Sequence, residues 1–203
     1  MHPLMKTLQQ DHYNFLKLLN CVQREVDMLE SGQMERPFNV MLVVDALDYL
    51  KTYPEQWHHP LEDALVKKLH ARADEQAKEV DWLMAEHKSL EAQTKIAQRV
   101  YQQIAAGHVV PRERLIEETR GFVHGQLAHI HRENARLYPL LIRLLTDDDM
   151  DAVAEAVPER EDGLFGSLQR AQYQHLGAEL VHEAAMTQGQ RPEKDGGFVK
   201  SGL

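Results

Sequence analysis

The sequence predicts an all-α protein, an antiparallel up-down-up-down four-helix bundle followed by a C-terminal helical extension. Apolar residues recur every three or four positions through most of the first 146 residues, which is the period of an amphipathic helix. Four such stretches are joined by short segments that contain glycine or proline, and short connections favour antiparallel neighbours. Neither a sustained two-residue alternation nor a hairpin dipeptide between β-branched runs indicates a strand.

The first predicted helix covers residues 4–29 and has one apolar stripe with a heptad-like spacing. The stripe consists of Leu4, Leu8, His12, Phe15, Leu19, Val22, Val26 and Leu29. Ser31 and Gly32 end this helix, and Pro37 opens the next. His12 therefore occupies a position in this stripe at which the other residues are apolar.

The second predicted helix, residues 38–70, continues the apolar pattern and contains two prolines, Pro54 and Pro60. Because a proline inside a helix removes a backbone hydrogen bond, we expect a kink or a loosened turn there. The third predicted helix covers residues 75–106 and repeats the apolar seam. His87 replaces a core residue in that seam, as the histidine of the first helix does.

The fourth predicted helix, residues 112–146, starts beside Pro111, and proline is common in the first turn of a helix. The apolar pattern breaks at residue 147, so we divide the chain into a bundle domain, residues 1–146, and an extension, residues 147–203. The extension comprises an acidic break at 147–151, an amphipathic helix at about 162–185 and a polar, glycine-rich tail.

The composition excludes several classes of protein. Lys and Arg number 23 against 32 Asp and Glu in 203 residues, a formal charge of −9, and no basic run suggests binding to nucleic acid or an anionic membrane. No apolar stretch is long enough to span a membrane, and the N-terminal residues lack the apolar core of a secretory signal, so we expect a cytoplasmic protein. The lone cysteine, Cys21, excludes an internal disulfide and cysteine-based metal sites.

Histidine is unusually frequent, with 12 residues in the chain, and it is the commonest metal ligand in proteins. The second and fourth helices each carry a histidine with a glutamate one turn later, a spacing that puts both on one face. A helical wheel places His59, His124 and His131 on the surface. It predicts that six residues face the interior: His12, His58, Glu62, His87, His129 and Glu133.

Four histidines and two glutamates from four helices predict a metal site on chemical grounds. No Lys or Arg lies on the inner stripes, so the two carboxylates would be costly to bury without a cation. Burial would raise the pKa of Glu62 and Glu133 in the metal-free protein. Mixed imidazole and carboxylate ligation suits iron, manganese or zinc, and six side chains exceed one tetrahedral zinc site. Two octahedral metals with a bridging oxygen would leave about two positions open for a small ligand.

In order and spacing these residues resemble the hemerythrin-like (HHE cation-binding) proteins, whose pattern is His, HxxxE, His and HxxxE across four consecutive helices. The resemblance covers about residues 4–146. It rests on Asp11-His12, on His58 to Glu62 within HHPLED, on Glu86-His87, and on His129 to Glu133 followed by Leu137-Tyr138-Pro139. The resemblance implies an antiparallel four-helix bundle with a non-haem di-iron centre, in which two iron ions share carboxylates and an oxo or hydroxo bridge. Manganese or zinc would be the substitutes.

The chain departs from the oxygen-carrying hemerythrins at one position, because no histidine lies four residues from His87, where Leu83 and Glu91 stand. The set of four histidines and two glutamates is similar to the di-iron domain of bacterial iron–sulfur cluster repair proteins. The helical wheel puts Glu91 well off the inner seam, so it is left out of the predicted ligand set.

Two functions compete on this evidence. The leading hypothesis is a metal-binding protein that binds or senses O₂, NO or a related small ligand, because the set is richer in histidine than that of ferritin-like enzymes. The alternative is a di-iron redox enzyme that oxidises iron, reduces peroxide or repairs iron–sulfur clusters. Tyr53 or Tyr101 could hydrogen-bond a bound ligand, and the C-terminal helix could form a homodimer with its copy. A structural protein with incidental histidines is disfavoured by their inward placement.

Overall fold

The computed structural model describes residues 1–32, 36–157, 162–166, 173 and 176–180, and its regular secondary structure is entirely helical. Two π-helical segments, Pro54–His58 and Glu133–Leu137, each connect two α-helices without a break in the chain direction. The α-helices with assigned bounds are α1 (Pro3–Ser31), α2 (Val40–Tyr53), α3 (His59–Ala77), α4 (Leu83–Ala105), α5 (Arg112–Arg132), α6 (Tyr138–Leu144) and α7 (Asp147–Ala156).

The long helices pack around a shared interior. Helix α1 contacts α2 and α5, and α4 contacts the same two helices from the other side. Helix α3 contacts α4, α6 and α7. The predicted all-α class is therefore confirmed. The up-down-up-down order of the four predicted helices stays a prediction.

The predicted start of the third helix is wrong. Helix α3 extends past position 70 to Ala77 with a kink at Ala73, whose backbone is non-helical (φ −150°, ψ 64°), a single 3₁₀ turn follows at Lys78–Val80, and α4 begins only at Leu83. The apolar residue Val80, which suggested a helical seam, is buried from within that turn. Apolar spacing alone does not separate the end of one helix from the start of the next when a tight turn also buries a side chain.

The expected disturbance near the prolines is a lengthened helical turn. The backbone N–H of His59 donates to the carbonyl of Pro54, five residues earlier, and the N–H of Tyr138 donates to the carbonyl of Glu133 in the same way. Each of these segments is followed two residues later by a proline, at positions 60 and 139. Because a proline cannot donate to the preceding turn, an α-helical bond is lost at that point.

Two apolar clusters of buried residues fill the interior on either side of a polar layer. The first lies among α1, α2, α4 and α5, and its largest buried members include Leu18, Leu47, Tyr101 and Phe122. The second involves the start of α1 together with α3, α6 and α7, and includes Met5, Leu8, Leu61, Leu65 and Leu141. The predicted metal ligands lie between these clusters along the chain, as His12 does between Leu8 and Phe15.

Helix α7 explains the acidic break that ends the predicted bundle domain. Thr146 accepts a hydrogen bond from the backbone of Asp149, whose carboxylate accepts one from the backbone N–H of Thr146. This capping box satisfies backbone donors that a helix start leaves free. Asp149 also forms ion pairs with Lys68 and Arg72 of α3. These ion pairs hold α7 against α3.

The rest of the predicted extension falls largely outside the described residues. The amphipathic helix expected at about 162–185 is wrong at its start, because residues 162–166 form a turn, whereas residues 176–180 are helical and Leu176 is buried in the first apolar cluster. The polar tail and the proposed dimer surface lie outside the described residues. Within the described part of the chain, every helix is too short or too polar to cross a membrane.

We expect Thr146→Ala to lower the free energy of unfolding by about 1 kcal/mol, because alanine cannot cap the first turn of α7. Thr146→Ser is the matched control, since serine retains the hydroxyl, and it should remain close to the original chain. Denaturant-induced unfolding followed by circular dichroism measures both variants. Equal losses in the two variants would contradict the role assigned to the hydroxyl.

Candidate metal centre

The structure brings all six predicted site residues together in the polar layer. None of them is more than 6% exposed, and both glutamates are completely buried. The six side chains are those of His12, His58, Glu62, His87, His129 and Glu133. Within the described residues they form the interior of the bundle where the two apolar clusters meet.

Each helical unit contributes to this layer at a defined place. His12 comes from α1 and His87 from α4, both from positions in an apolar stripe. The other four residues lie around the two π-helical segments: His58 ends the first segment and Glu133 begins the second. Such segments often occur at functional sites, since the extra residue in the turn redirects neighbouring side chains.

Glu133 lies between three of the histidines. Its Oε2 atom is 3.1 Å from Nε2 of His12. Its Oε1 atom is 2.9 Å from Nε2 of His129 and 3.4 Å from Nε2 of His87. The two oxygens of one carboxylate therefore face histidines on opposite sides of the polar layer.

Glu62 has the same arrangement on the other side of the layer. Its Oε1 atom is 3.5 Å from Nε2 of His58, and its Oε2 atom is 3.3 Å from Nε2 of His87. Oε2 of Glu62, Oε2 of Glu133 and Nε2 of His129 are buried without a well-aligned hydrogen bond. Buried polar atoms are rarely left unsatisfied, so these three atoms indicate a missing partner in the centre of the layer.

The outward nitrogen of each predicted histidine ligand has a hydrogen-bond partner. Nδ1 of His58 is 3.1 Å from a carboxylate oxygen of Asp11, and Nδ1 of His12 is 3.1 Å from the amide oxygen of Asn134. The partners on the other side are Asp63 for His87, at 3.2 Å, and Glu86 for His129, at 3.0 Å. An acceptor at Nδ1 fixes the ring and leaves Nε2 free to bind a metal.

These partners are held in turn by further side chains. The Tyr53 hydroxyl donates to Asp11 over 3.3 Å. On the opposite side, Arg132 donates to Glu86 over 2.7 Å, and its guanidinium lies 3.8 Å from the centre of the Trp82 ring. The rings of the histidines are therefore fixed by contacts that extend towards the protein surface.

The two tyrosines that sequence reasoning named as possible contacts of a ligand make their hydrogen bonds outside the centre. The Tyr53 hydroxyl contacts Asp11, and that of Tyr101 pairs with Thr119 in the first apolar cluster. The tyrosine at the centre is Tyr138, whose hydroxyl is 2.9 Å from Oε1 of Glu62 and 3.1 Å from Nε2 of His12. Its ring also stacks on that of His12, with centroids 4.9 Å apart. The available signal in the sequence was Pro139, which directly follows this tyrosine as Pro60 follows His59.

The surface position predicted for His59 is also wrong. His59 is half-buried, and its ring stacks on that of His87 with centroids 4.0 Å apart and an angle of 13° between the planes. The helical wheel assumed an uninterrupted α-helix through the segment where the π-helical turn occurs. His124 and His131 are exposed as predicted. Glu91 pairs with Lys95 on the outside of α4.

The expected rise in the pKa of Glu133 is contradicted. Burial alone would raise the pKa of this carboxyl, but its interactions with the nearby imidazoles of His12, His129 and His87 outweigh burial and hold the pKa well below its usual range. Burial would lower the pKa of His87, yet hydrogen bonds to Asp63, Glu133 and Glu62 raise it to about 11. Without a metal, protonated histidines thus supply the positive charge that the helix stripes lack.

The donor set fits metal-ion binding. Ligand atoms of His12, His58, Glu62 and Glu133 lie within 4.8 Å of one another, and those of His59, His87 and His129 form a second group, of three residues, within the same distance. Imidazole nitrogens and carboxylate oxygens together favour iron, manganese or zinc. The unsatisfied oxygens of the two glutamates point to the same conclusion, because a cation would bind them.

Comparison with known proteins agrees with this geometry. The family model described as the hemerythrin HHE cation binding domain matches residues 4–141. No curated protein matches the chain. The matched range contains the whole polar layer.

We expect the metal-free protein to lose stability as the pH rises above about 6.5. The raised pKa values of His12, His87 and His129 stabilise the folded state below the unfolded value of about 6.5, and this contribution is lost towards pH 11, the value reached by His87. The lowered pKa of Glu133 stabilises the fold only above about 4.3. Unfolding by denaturant in the presence of a chelator, at pH 5.5, 7 and 8.5, measures the effect.

His59 acts in the opposite direction, because burial and then the neighbouring His87 and His58 lower its pKa. Its effect is confined to pH values below about 6.5, where the unfolded histidine is protonated. The variant His87→Asn should have a flatter profile above that pH. A stability that rises steadily from pH 6.5 to 8.5 in the original chain would contradict the protonated histidines.

Proposed function

Because the chain belongs to the hemerythrin HHE cation-binding domain family, we propose that it is a non-haem di-iron protein that binds or senses a small ligand such as O₂ or NO. One observation carries the proposal. Glu62 and Glu133 each direct one oxygen towards the pair His12 and His58 and the other towards His87. Two carboxylates in this orientation are suited to bridging two metal ions.

The residues divide into two metal-binding groups joined by these carboxylates. His12 and His58 would hold one ion, His87 and His129 would hold the other, and Glu62 and Glu133 would contribute oxygens to both. Two iron ions held there would supply open positions and redox-active electrons for a small ligand. Manganese or zinc would occupy the same donors, as the mixed ligand set allows. We also propose that neighbouring helices of the bundle are antiparallel. In this arrangement the six site residues lie at the same level along the bundle axis.

The surrounding side chains orient the donors before any metal arrives. Asp11, Asn134, Asp63 and Glu86 each hold the outward nitrogen of one histidine. Fixed rings reduce the conformational entropy that is lost when a metal binds, and such outer contacts typically change metal affinity by about 10- to 100-fold. These contacts favour tight binding of the metal.

Aromatic side chains around the centre shield it from water, and Tyr138 supplies one hydroxyl group. Phe15 packs edge-on against His58 with ring centroids 5.0 Å apart, and Trp57 is buried next to it in the chain. Burial, together with Glu62 and Glu133, holds the pKa of Tyr138 well above its usual range, so its hydroxyl keeps its proton. The phenol donates to Oε1 of Glu62 over 2.9 Å, and it could redirect this hydrogen bond to a small anionic or oxygen-containing ligand once Glu62 binds a metal.

The full chain, loaded with iron under anaerobic conditions, should bind about two irons, the number that a carboxylate-bridged pair requires. Glu62→Gln should retain one iron or fewer, because an amide cannot bridge two cations as a carboxylate does. Glu91→Gln is the matched control, since Glu91 pairs with Lys95 on the outer face of α4. Elemental analysis after removal of free metal gives the content of each variant.

A stable maximum near one iron in the original chain would reduce the site to a mononuclear one. Two tightly bound irons in Glu62→Gln would contradict the bridging role of this carboxylate. Rapid turnover of peroxide by the loaded protein would favour the alternative of a redox enzyme.

Tyr138→Phe should weaken the binding of NO to the iron-loaded protein by about 2- to 10-fold, the value of one neutral hydrogen bond. Iron content should remain that of the original chain. Tyr53→Phe serves as the control, since its hydroxyl contacts Asp11 outside the centre. Titration with NO, followed by visible absorption, measures the affinity. Equal NO affinities of the Tyr138→Phe variant and the original chain would contradict the donor role.

A further inference from the structure

A cleft with a volume of about 190 Å³ lies between α2 and α4. Asp45 and Asp48 of α2 line one side of it, and Gln98 and Tyr101 of α4 line the other. Tyr173 of the C-terminal extension adds to the wall. Each helix contributes residues three positions apart, which share one face of a helix. The cleft is therefore bordered by one polar face of α2 and one of α4.

The amide of Gln98 points to a ligand of this cleft. The residue is only 9% exposed, and its side chain makes no hydrogen bond to any residue that the structure describes. By contrast, Gln126 of α5 is equally buried, and its amide donates to the hydroxyl of Thr94. Buried polar side chains nearly always have a hydrogen-bond partner. The partner that suits the Gln98 amide is thus a polar molecule in the cleft.

The lining of the cleft is negatively charged. Asp45 and Asp48 are half-buried there, and none of the lining residues that the structure describes is Lys, Arg or His. The Tyr173 hydroxyl donates to Oδ2 of Asp48 over 2.9 Å, but an ionised carboxylate has about four acceptor sites, so a further donor is able to bind. A ligand with a positive charge and several N–H groups suits these carboxylates.

Apolar surface and a small volume limit the rest of the ligand. Val44 lines the cleft beside the two aspartates. The Tyr101 hydroxyl is paired with Thr119 at 2.8 Å, so this tyrosine offers its ring to the cleft, and such a ring attracts cations. A protein cavity of about 150 Å³ holds one benzene molecule. The cleft therefore fits a molecule with one ring or a short aliphatic chain.

We propose that this cleft binds a small organic ammonium ion. Its N–H groups donate to the carboxylates of Asp45 and Asp48 and to the amide oxygen of Gln98, and its hydrocarbon part packs against the apolar lining. The cleft is separate from the polar layer, because Gln98 follows His87 by eleven residues on α4, about 16 Å along the helix axis. Binding in the cleft is therefore independent of the di-iron function proposed above.

Isothermal titration calorimetry of the full chain with benzylammonium chloride tests this site at neutral pH, both in the iron-loaded form and in the presence of a chelator. Benzyl alcohol is the control probe, since it has the same ring and no charge. Asp48→Asn removes one carboxylate, and Gln98→Leu removes the amide. Asp27→Asn and Gln103→Leu are the matched control variants, because both residues are exposed. Circular dichroism reports the folding of each variant.

Benzylammonium should bind saturably and more tightly than benzyl alcohol, with the same affinity in the two forms of the chain. Asp48→Asn and Gln98→Leu should each weaken its binding by about 10-fold or more, the value of one hydrogen bond to a charged group. Should Gln98→Leu fail to fold, Asp48→Asn, which keeps the shape of the side chain, still decides. The two control variants should keep the affinity of the original chain.

Absence of saturable benzylammonium binding would overturn the inference, as would binding of benzyl alcohol that is equally tight. An unchanged affinity in Asp48→Asn would place the bound ion elsewhere on the chain and also refute the cleft. Binding by the iron-loaded form alone would assign the ion to the polar layer, again against the inference. None of these results alters the iron content, so a failure here is distinguishable from a failure of the proposed function.

Discussion

The burial of two carboxylates in one helical interior is the constraint on which the rest of the structure depends. Glu62 and Glu133 are removed entirely from water, and an isolated buried charge is among the most expensive features a fold can contain. Among the residues that the structure describes, positive charge reaches them only through imidazole, from histidines on separate helices. The same histidines accept a proton when no metal is bound and offer a lone pair when one is. Histidine is therefore the one side chain that suits both states of this interior.

The polar layer also determines how the hydrophobic core is built. The apolar stripes continue on both sides of it, so the helices are stabilised by two apolar clusters instead of one. Each cluster fixes the helices at one end of the bundle. The positions of the helices at both ends therefore determine the geometry of the polar layer between the clusters. This arrangement limits the freedom of the ligands without any contribution from a metal. The outer acceptors, such as Asp11 and Glu86, complete the positioning of the rings.

Helical periodicity was sufficient to predict the fold class and to identify six side chains that the structure brings together. It succeeded where the helices are regular, as at His12 and His87, because one residue every 100° then predicts the inward face. It failed for His59 and Tyr138, which each come directly after a π-helical segment and are displaced from the α-helical wheel. It also failed at the end of α3, where a 3₁₀ turn buries Val80. The errors share one cause, since local hydrogen bonding departs from the α-helical pattern at these places. The prolines at 60 and 139 were the available signal.

The two π-helical segments have a consequence for how such a sequence varies through insertion and deletion. Each contains one residue more than the α-helical turn would need, so the helices on its two sides are in register only at that length. Removal of a single residue from Pro54–His58 would rotate the α2 stripe by about 100° relative to α3. The first apolar cluster and the polar layer would then no longer share one face. Lineages that carry this site are thus free to exchange residues of the segments that do not face the centre, unlike His58 and Glu133, whereas a change in segment length has to be compensated elsewhere in the same helix.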